Sequence, residues 1–149
     1  MIKIKRALIS VWDKTGIIEL AEFLISNQIE IISTGGTKKI LEQNNIPVTP
    51  VSGITNQKEI MNGRVKTIHP ALFGGILADR SLEKHINDLY NINGKSIDMV
   101  VINLYPFQEE AIDKNLSLEK SIEFIDIGGP SMLRAAAKNF KYVIPLCEF

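Results

Sequence analysis

Residues 7–25 read ALISVWDKTGIIELAEFLI. The first five are apolar except for Ser10, a run suited to a strand covered on both faces. Ile17, Leu20, Ala21, Leu24 and Ile25 then recur at i, i+3, i+4, i+7 and i+8, the spacing of one helix face. Between them, Ser10 to Gly16 supplies a hydroxyl, a lysine and a glycine directly ahead of the helix. Strand, polar loop and helix in that order form the repeating unit of a parallel sheet.

The unit recurs along the chain. Strands are predicted at 29–32, 47–51, 75–78, 98–103 and 142–146, and helices at 37–44, 82–90, 118–124 and 130–139. The strongest strand is the one holding Met99-Val100-Val101-Ile102. The fold class implied is α/β: a single doubly wound, mainly parallel sheet with helices on both faces, in one domain over residues 1–149. In such a sheet ligands bind beyond the carboxyl ends of the strands, so the loops that follow strands are where chemistry belongs.

Composition narrows the class. The chain has 149 residues, 45% hydrophobic and 23% charged, enough for a packed core and unlike a disordered tail or a disulfide scaffold. Lys plus Arg and Asp plus Glu are 17 each, so there is no net basic charge to hold duplex nucleic acid. The single cysteine, Cys147, cannot form an internal disulfide. The basic N-terminus before Ala7 superficially resembles a secretion signal, but Asp13 and Lys14 interrupt its apolar run. No stretch approaches the ~20 apolar residues of a membrane span. The location expected is cytoplasmic, with no membrane and no nucleic-acid partner.

Two loops carry an anion signature. Ser10-Val11-Trp12-Asp13-Lys14-Thr15-Gly16 and Ser33-Thr34-Gly35-Gly36-Thr37 each combine hydroxyls and glycine at a helix start. Free N–H groups and the helix dipole favour an anion there. The plainer alternative is that Thr34 or Thr37 caps the helix and the glycines turn the chain. Neither loop matches a Walker loop or the dinucleotide fingerprint. In Gly63-Arg64-Val65-Lys66-Thr67, an extended backbone would put both cations on one side, around an anion or in solvent. His69 reads as a packing or capping residue and His85 as solvated; with one cysteine they form no metal-ligand pattern. Asp126, between two isoleucines and ahead of Gly128-Gly129-Pro130, is either a partly shielded acid or the cap of the last long helix. Lys138 lies too far along that helix for spacing alone to place it beside Asp126.

These segments stand together with Gly74-Gly75-Ile76-Leu77-Ala78, Asn103-Leu104-Tyr105-Pro106-Phe107 and Arg134-Ala135-Ala136-Ala137-Lys138-Asn139. In that order they resemble the N-terminal inosine monophosphate (IMP) cyclohydrolase domain of the bifunctional purine biosynthesis proteins. The resemblance covers nearly the whole chain. It implies a fold like that of methylglyoxal synthase, a homodimer, a small phosphoribosylated purine precursor as substrate, and closure of formylaminoimidazole carboxamide ribotide to IMP and water. No cofactor and no metal are implied. By position, Ser10, Lys14, Ser33, Thr34, Gly35, Gly36, Thr37, Arg64 and Thr67 would hold the ribose phosphate, and Asn103, Gly128 and Gly129 would contact the base. Lys66, Tyr105, Asp126 and Lys138 would be catalytic.

Three departures stand out. Trp12 replaces a small hydroxyl residue, and no contact is carried onto it. Residues 55–61 differ from the common version, with an effect expected only on a surface turn. The chain ends at Phe149, where the family's cyclohydrolase region continues and a formyltransferase domain follows; a C-terminally truncated cyclohydrolase domain without formyltransferase activity is expected. Two alternatives use the same fold. Methylglyoxal synthase would need an enolising acid–base set not matched here. A non-catalytic phosphometabolite-binding module would keep the anion loops without needing Lys66, Asp126 and Lys138.

Overall fold

The computed structural model describes residues 3–149. Its sheet has five strands: β1 (Arg6–Ile9), β2 (Glu30–Ser33), β3 (Thr49–Pro50), β4 (Met99–Val101) and β5 (Ile144–Leu146). They lie in the order β3-β2-β1-β4-β5, and every pairing is parallel. Leu8 registers with Ile32 on one side and Val100 on the other. Seven α-helices connect them: α1 (Ile17–Ser26), α2 (Gly35–Gln43), α3 (Val51–Thr55), α4 (Pro70–Leu77), α5 (Glu83–Asn91), α6 (Leu118–Ile122) and α7 (Gly128–Lys138). A short π-helical turn, Gln108–Ile112, precedes α6.

Alternation along each strand divides the core in two. Ala7 and Ile9 of β1, Ile31 of β2 and Val101 of β4 meet Ile17, Ala21 and Leu24 of α1 and Leu41 of α2. Leu8, Ile32 and Val100 point to the other face, against Val51 and Ile54 of α3, Leu72 and Ile76 of α4, and Met132 and Ala136 of α7. Leu8, Ile32 and Leu72 are fully buried, and each such side chain contributes about 1.5–3 kcal/mol by burial. Helices on both faces of a parallel sheet are therefore present. Among the described residues, no helix is long and apolar enough to cross a membrane.

One predicted strand is a helix. Residues 75–78 belong to the end of α4 and the residue after it, not to the sheet. His69 caps α4, its Nδ1 accepting from the Ala71 N–H at 3.1 Å, and Pro70 takes the first helical position. Ala71, Leu72, Gly75 and Ile76 are buried at helical spacing. A Cβ on Gly75 would sit 2.2 Å from the Lys95 carbonyl oxygen, so the helix lies directly on backbone there. His85 is also less free than predicted: half-buried, its Nδ1 accepts from the Asp79 N–H at 3.1 Å.

The amino ends of β1 and β4 are stapled by Asp98, which is 3% exposed. Its carboxylate accepts from the Lys5 and Arg6 N–H groups at 2.7 and 2.9 Å and from Arg80 Nη1 at 2.6 Å. The chain runs outward from β1 to β2 and β3, then returns to β4 on the opposite side of β1. That reversal opens a crevice at the carboxyl ends of β1 and β4.

Candidate active site

A cleft of about 760 Å³ occupies this crevice. Three strand ends feed it. The loop after β1 brings Ser10, Trp12 and Lys14; the turn after β2 brings Thr34 and the first residues of α2; the segment after β4 brings Asn103 and Tyr105. Loop 59–67 and residues 122–129 close the remaining sides.

The start of α2 has the geometry of an anion-binding helix end. Thr34 is extended and makes no side-chain cap, and Gly35 has φ +56°, so the helix opens with its N–H groups unmet. Two lysines flank it: a Cβ on Gly36 would lie 3.7 Å from Lys14 Cε, and one on Gly35 would lie 3.6 Å from Lys66 Nζ. Neither lysine belongs to an ion pair among the described residues. Lys14 Nζ donates to the Val11 and Trp12 carbonyls at 3.2 and 2.8 Å, which aims it across its own loop. Free helix amides beside two cations suit a phosphate.

Not every predicted hydroxyl faces the cleft. Ser33 is fully buried and donates to the Ile9 carbonyl at 2.7 Å, tying β2 to β1. Thr37 lines the cleft, but its hydroxyl exchanges two 3.1 Å hydrogen bonds with the Val11 backbone and locks the β1 loop onto α2. Ser10, Thr34 and the helix amides remain for a ligand.

Asn103 is similarly committed. Its Oδ1 accepts from the Trp12 N–H and, at 3.1 Å, from the Asp13 N–H; its Nδ2 donates to the Asp13 carbonyl at 2.7 Å. The side chain thus clamps the first anion loop across the point where strand order reverses.

Asp126, Thr67 and Tyr105 line the same cleft. Asp126 Oδ1 accepts from the Gly129 N–H at 3.0 Å, so Asp126 serves the start of α7 while lining the cleft. A Cβ on Gly129 would fall 2.4 Å from Asp126 Oδ2, so a larger residue there would displace the Asp126 carboxylate. Thr67 is buried, with its hydroxyl 2.7 Å from the position of a Cβ on Gly128. Burial, and then the Asp126 charge, push the Tyr105 pKa above that of an ordinary phenol. Tyr105 therefore stays a proton donor at neutral pH. Its ring meets Trp12 at 4.7 Å between centroids, and Phe124 approaches both edge-on at 6.2 and 6.5 Å.

The structure brings Lys66, Tyr105 and Asp126 to one cleft, but not Lys138. In a single chain Lys138 lies exposed at the far end of α7, about 15 Å along the axis from Gly128. Arg64 reaches the cleft, although not from an extended backbone: it has φ −64° and ψ −28°, after Met61, Asn62 and Gly63 all at positive φ. An antiparallel bridge between Ile60 and Val65 shapes this loop. Residues 55–61 are thus more than a surface turn, because Glu59 lines the cleft. Glu123, which pairs with Arg64, was not predicted; a pair between residues 59 apart leaves no local signature.

A five-stranded, all-parallel sheet with a cleft at its strand-order reversal defines the class. The chain belongs to the MGS-like domain family, whose model matches residues 16–131. More particularly, it is similar to the N-terminal part of the bifunctional purine biosynthesis protein PurH. Identity to PurH of Fusobacterium nucleatum subsp. nucleatum is 58% over 144 residues, 97% of this chain and 28% of that protein. Identity to PurH of Staphylococcus aureus (strain Newman) is 55% over 139 residues, 93% of this chain and 28% of that protein. The chain thus spans just over a quarter of the length of these curated relatives. A solved structure titled "Crystal structure of ForH" superimposes with TM-score 0.82 at 33% identity, covering 98% of this chain and 74% of that one.

Proposed function

We propose that this chain is an IMP cyclohydrolase acting on formylaminoimidazole carboxamide ribotide, and that it works as a homodimer. The observation that carries the reading is the shared cleft: the start of α2 flanked by Lys14 and Lys66, with Tyr105 and Asp126 lining the same space. The substrate's phosphate sits on the α2 amides with Lys14 and Arg64, and its reacting ring reaches the other side.

The chemistry asks for what these residues offer. The carboxamide nitrogen bonds to the formyl carbon, and the formyl oxygen becomes an oxyanion. Holding both ends of the substrate in one cleft supplies much of the rate. The Lys66 ammonium stabilises the oxyanion. Asp126 takes the proton that the nitrogen loses, and Tyr105 donates to the oxygen. The proton on the former formamide nitrogen then joins the hydroxyl, the C–O bond breaks as a C=N bond forms, and water leaves; a proton passing from Asp126 to Tyr105 restores both residues. The substrate supplies every atom of the products. Lys138 is given no step within a single chain, and no formyltransferase activity is proposed for these residues.

Turnover measured by absorbance on conversion of the formyl substrate to IMP tests the reading. Wild-type protein should form IMP, and Lys66→Met should lose turnover by about 100-fold or more while still binding IMP, as expected when an oxyanion donor is removed. No product from the wild type, or turnover surviving in Lys66→Met with binding lost, would sink the assignment.

A further inference from the structure

Arg64 is already occupied. Glu123 grips its guanidinium at two points, Nη2 to Oε1 and Nε to Oε2, the second at 3.4 Å. Both side chains are more than half exposed, 62% and 56%, so solvent screens the pair and it adds little to folding. Both residues line the anion cleft. A carboxylate in the fork of a guanidinium takes the place that a phosphate also fits. The next residue, Phe124, packs on Trp12 and Tyr105. Consecutive residues of one segment therefore hold the Arg64 loop and the aromatic rim together.

We infer that Glu123 is an internal competitor for Arg64, an affinity- and specificity-determining residue that a ligand phosphate must displace. This rests on reading the cleft as a phosphate site. The displacement selects by charge. A phosphate dianion brings more charge and more acceptor oxygens than the carboxylate it replaces. A neutral ligand brings neither, and leaves the pair intact. The exchange is reversible because an exposed ion pair is weak: its effect on ligand affinity is about two- to five-fold.

Calorimetric titration of the full chain with IMP, inorganic phosphate and inosine tests this. Wild type is compared with Glu123→Gln, Arg64→Ala and the double variant. Glu42→Gln serves as a charge control, since Glu42 pairs with Lys38 on an exposed helix face outside the cleft. Glu123→Gln should bind IMP and phosphate about two- to five-fold more tightly and inosine unchanged. The gain should vanish when Arg64 is already Ala, and Glu42→Gln should show none. Equal or weaker phosphate binding by Glu123→Gln overturns the inference, as does the same gain without Arg64. If wild type binds neither IMP nor phosphate, the phosphate reading itself falls, and this inference with it. If wild type binds both and Glu123→Gln matches it, only the inference falls.

Discussion

Replacing Asn103 with Ala separates two roles that the resemblance and the structure assign to one side chain. As a base contact, the amide would act only when ligand is present. As a clamp, it acts in the empty protein, through hydrogen bonds to the backbone of Trp12 and Asp13. Three such bonds at about 1 kcal/mol each set an upper value of about 3 kcal/mol. Asn103 is only half-buried, so water recovers part of this, and we expect a loss of about 1–2 kcal/mol. For a domain of this size that lowers Tm by roughly 2–8 °C. Scanning calorimetry of the ligand-free variant reads the number directly. Turnover measured in parallel should show a raised KM, because the freed loop carries Lys14. An unchanged Tm with turnover abolished would refute the clamp and return Asn103 to the substrate.

Two further outcomes follow from the geometry. Gly129→Ala puts a methyl 2.4 Å from Asp126 Oδ2 and 3.3 Å from Leu104 Cδ2, so Asp126 must rotate out of place; turnover should fall by about 100-fold, the usual contribution of a positioned acid or base, with IMP affinity within about three-fold of wild type by titration. Hydrogen bonds, first from Ser81 and then from Tyr142, hold Asp79 down to about 2. Its folded pKa lies below the ordinary 3.8, so the stability it adds is present above about pH 4 and lost as pH falls towards 2. Urea midpoints measured between pH 5 and 2 should therefore fall less steeply for Asp79→Asn than for wild type.

Much of the architecture was legible because buried parallel strands are apolar almost throughout and their helices keep a 3.6-residue period. Ala7 to Ile9 and Met99 to Val101 are strands as read, and Ile17, Ala21 and Leu24 are the buried face of α1. Residues 75–78 misled because a short apolar run has no period of its own. The deciding signal was the cap at His69-Pro70, upstream of the run. In the site, residue types were legible and their orientations were not. Ser33, Thr37 and Asn103 carry the groups that a ligand would want, but their partners are backbone atoms of other strands and loops. Lys138 follows the same rule in reverse: its helix was read correctly, and within one chain helix length keeps it from the cleft. Glu123 went unread because its partner lies in another loop.

Asp98 and Asn103 bracket β4. The first ties its entry to the backbone of Lys5 and Arg6, the second ties its exit to the backbone of Trp12 and Asp13. Sliding of β4 along β1 would break both sets of bonds, which makes this strand pair the stiff floor of the crevice. Compliance must come from the roof, where residues 123 and 124 are held by an exposed ion pair and by ring edges. Hydrogen exchange should divide along that line, slow at the strand amides and fast across the roof. A ligand would then be gripped by a jaw with one fixed side and one yielding side.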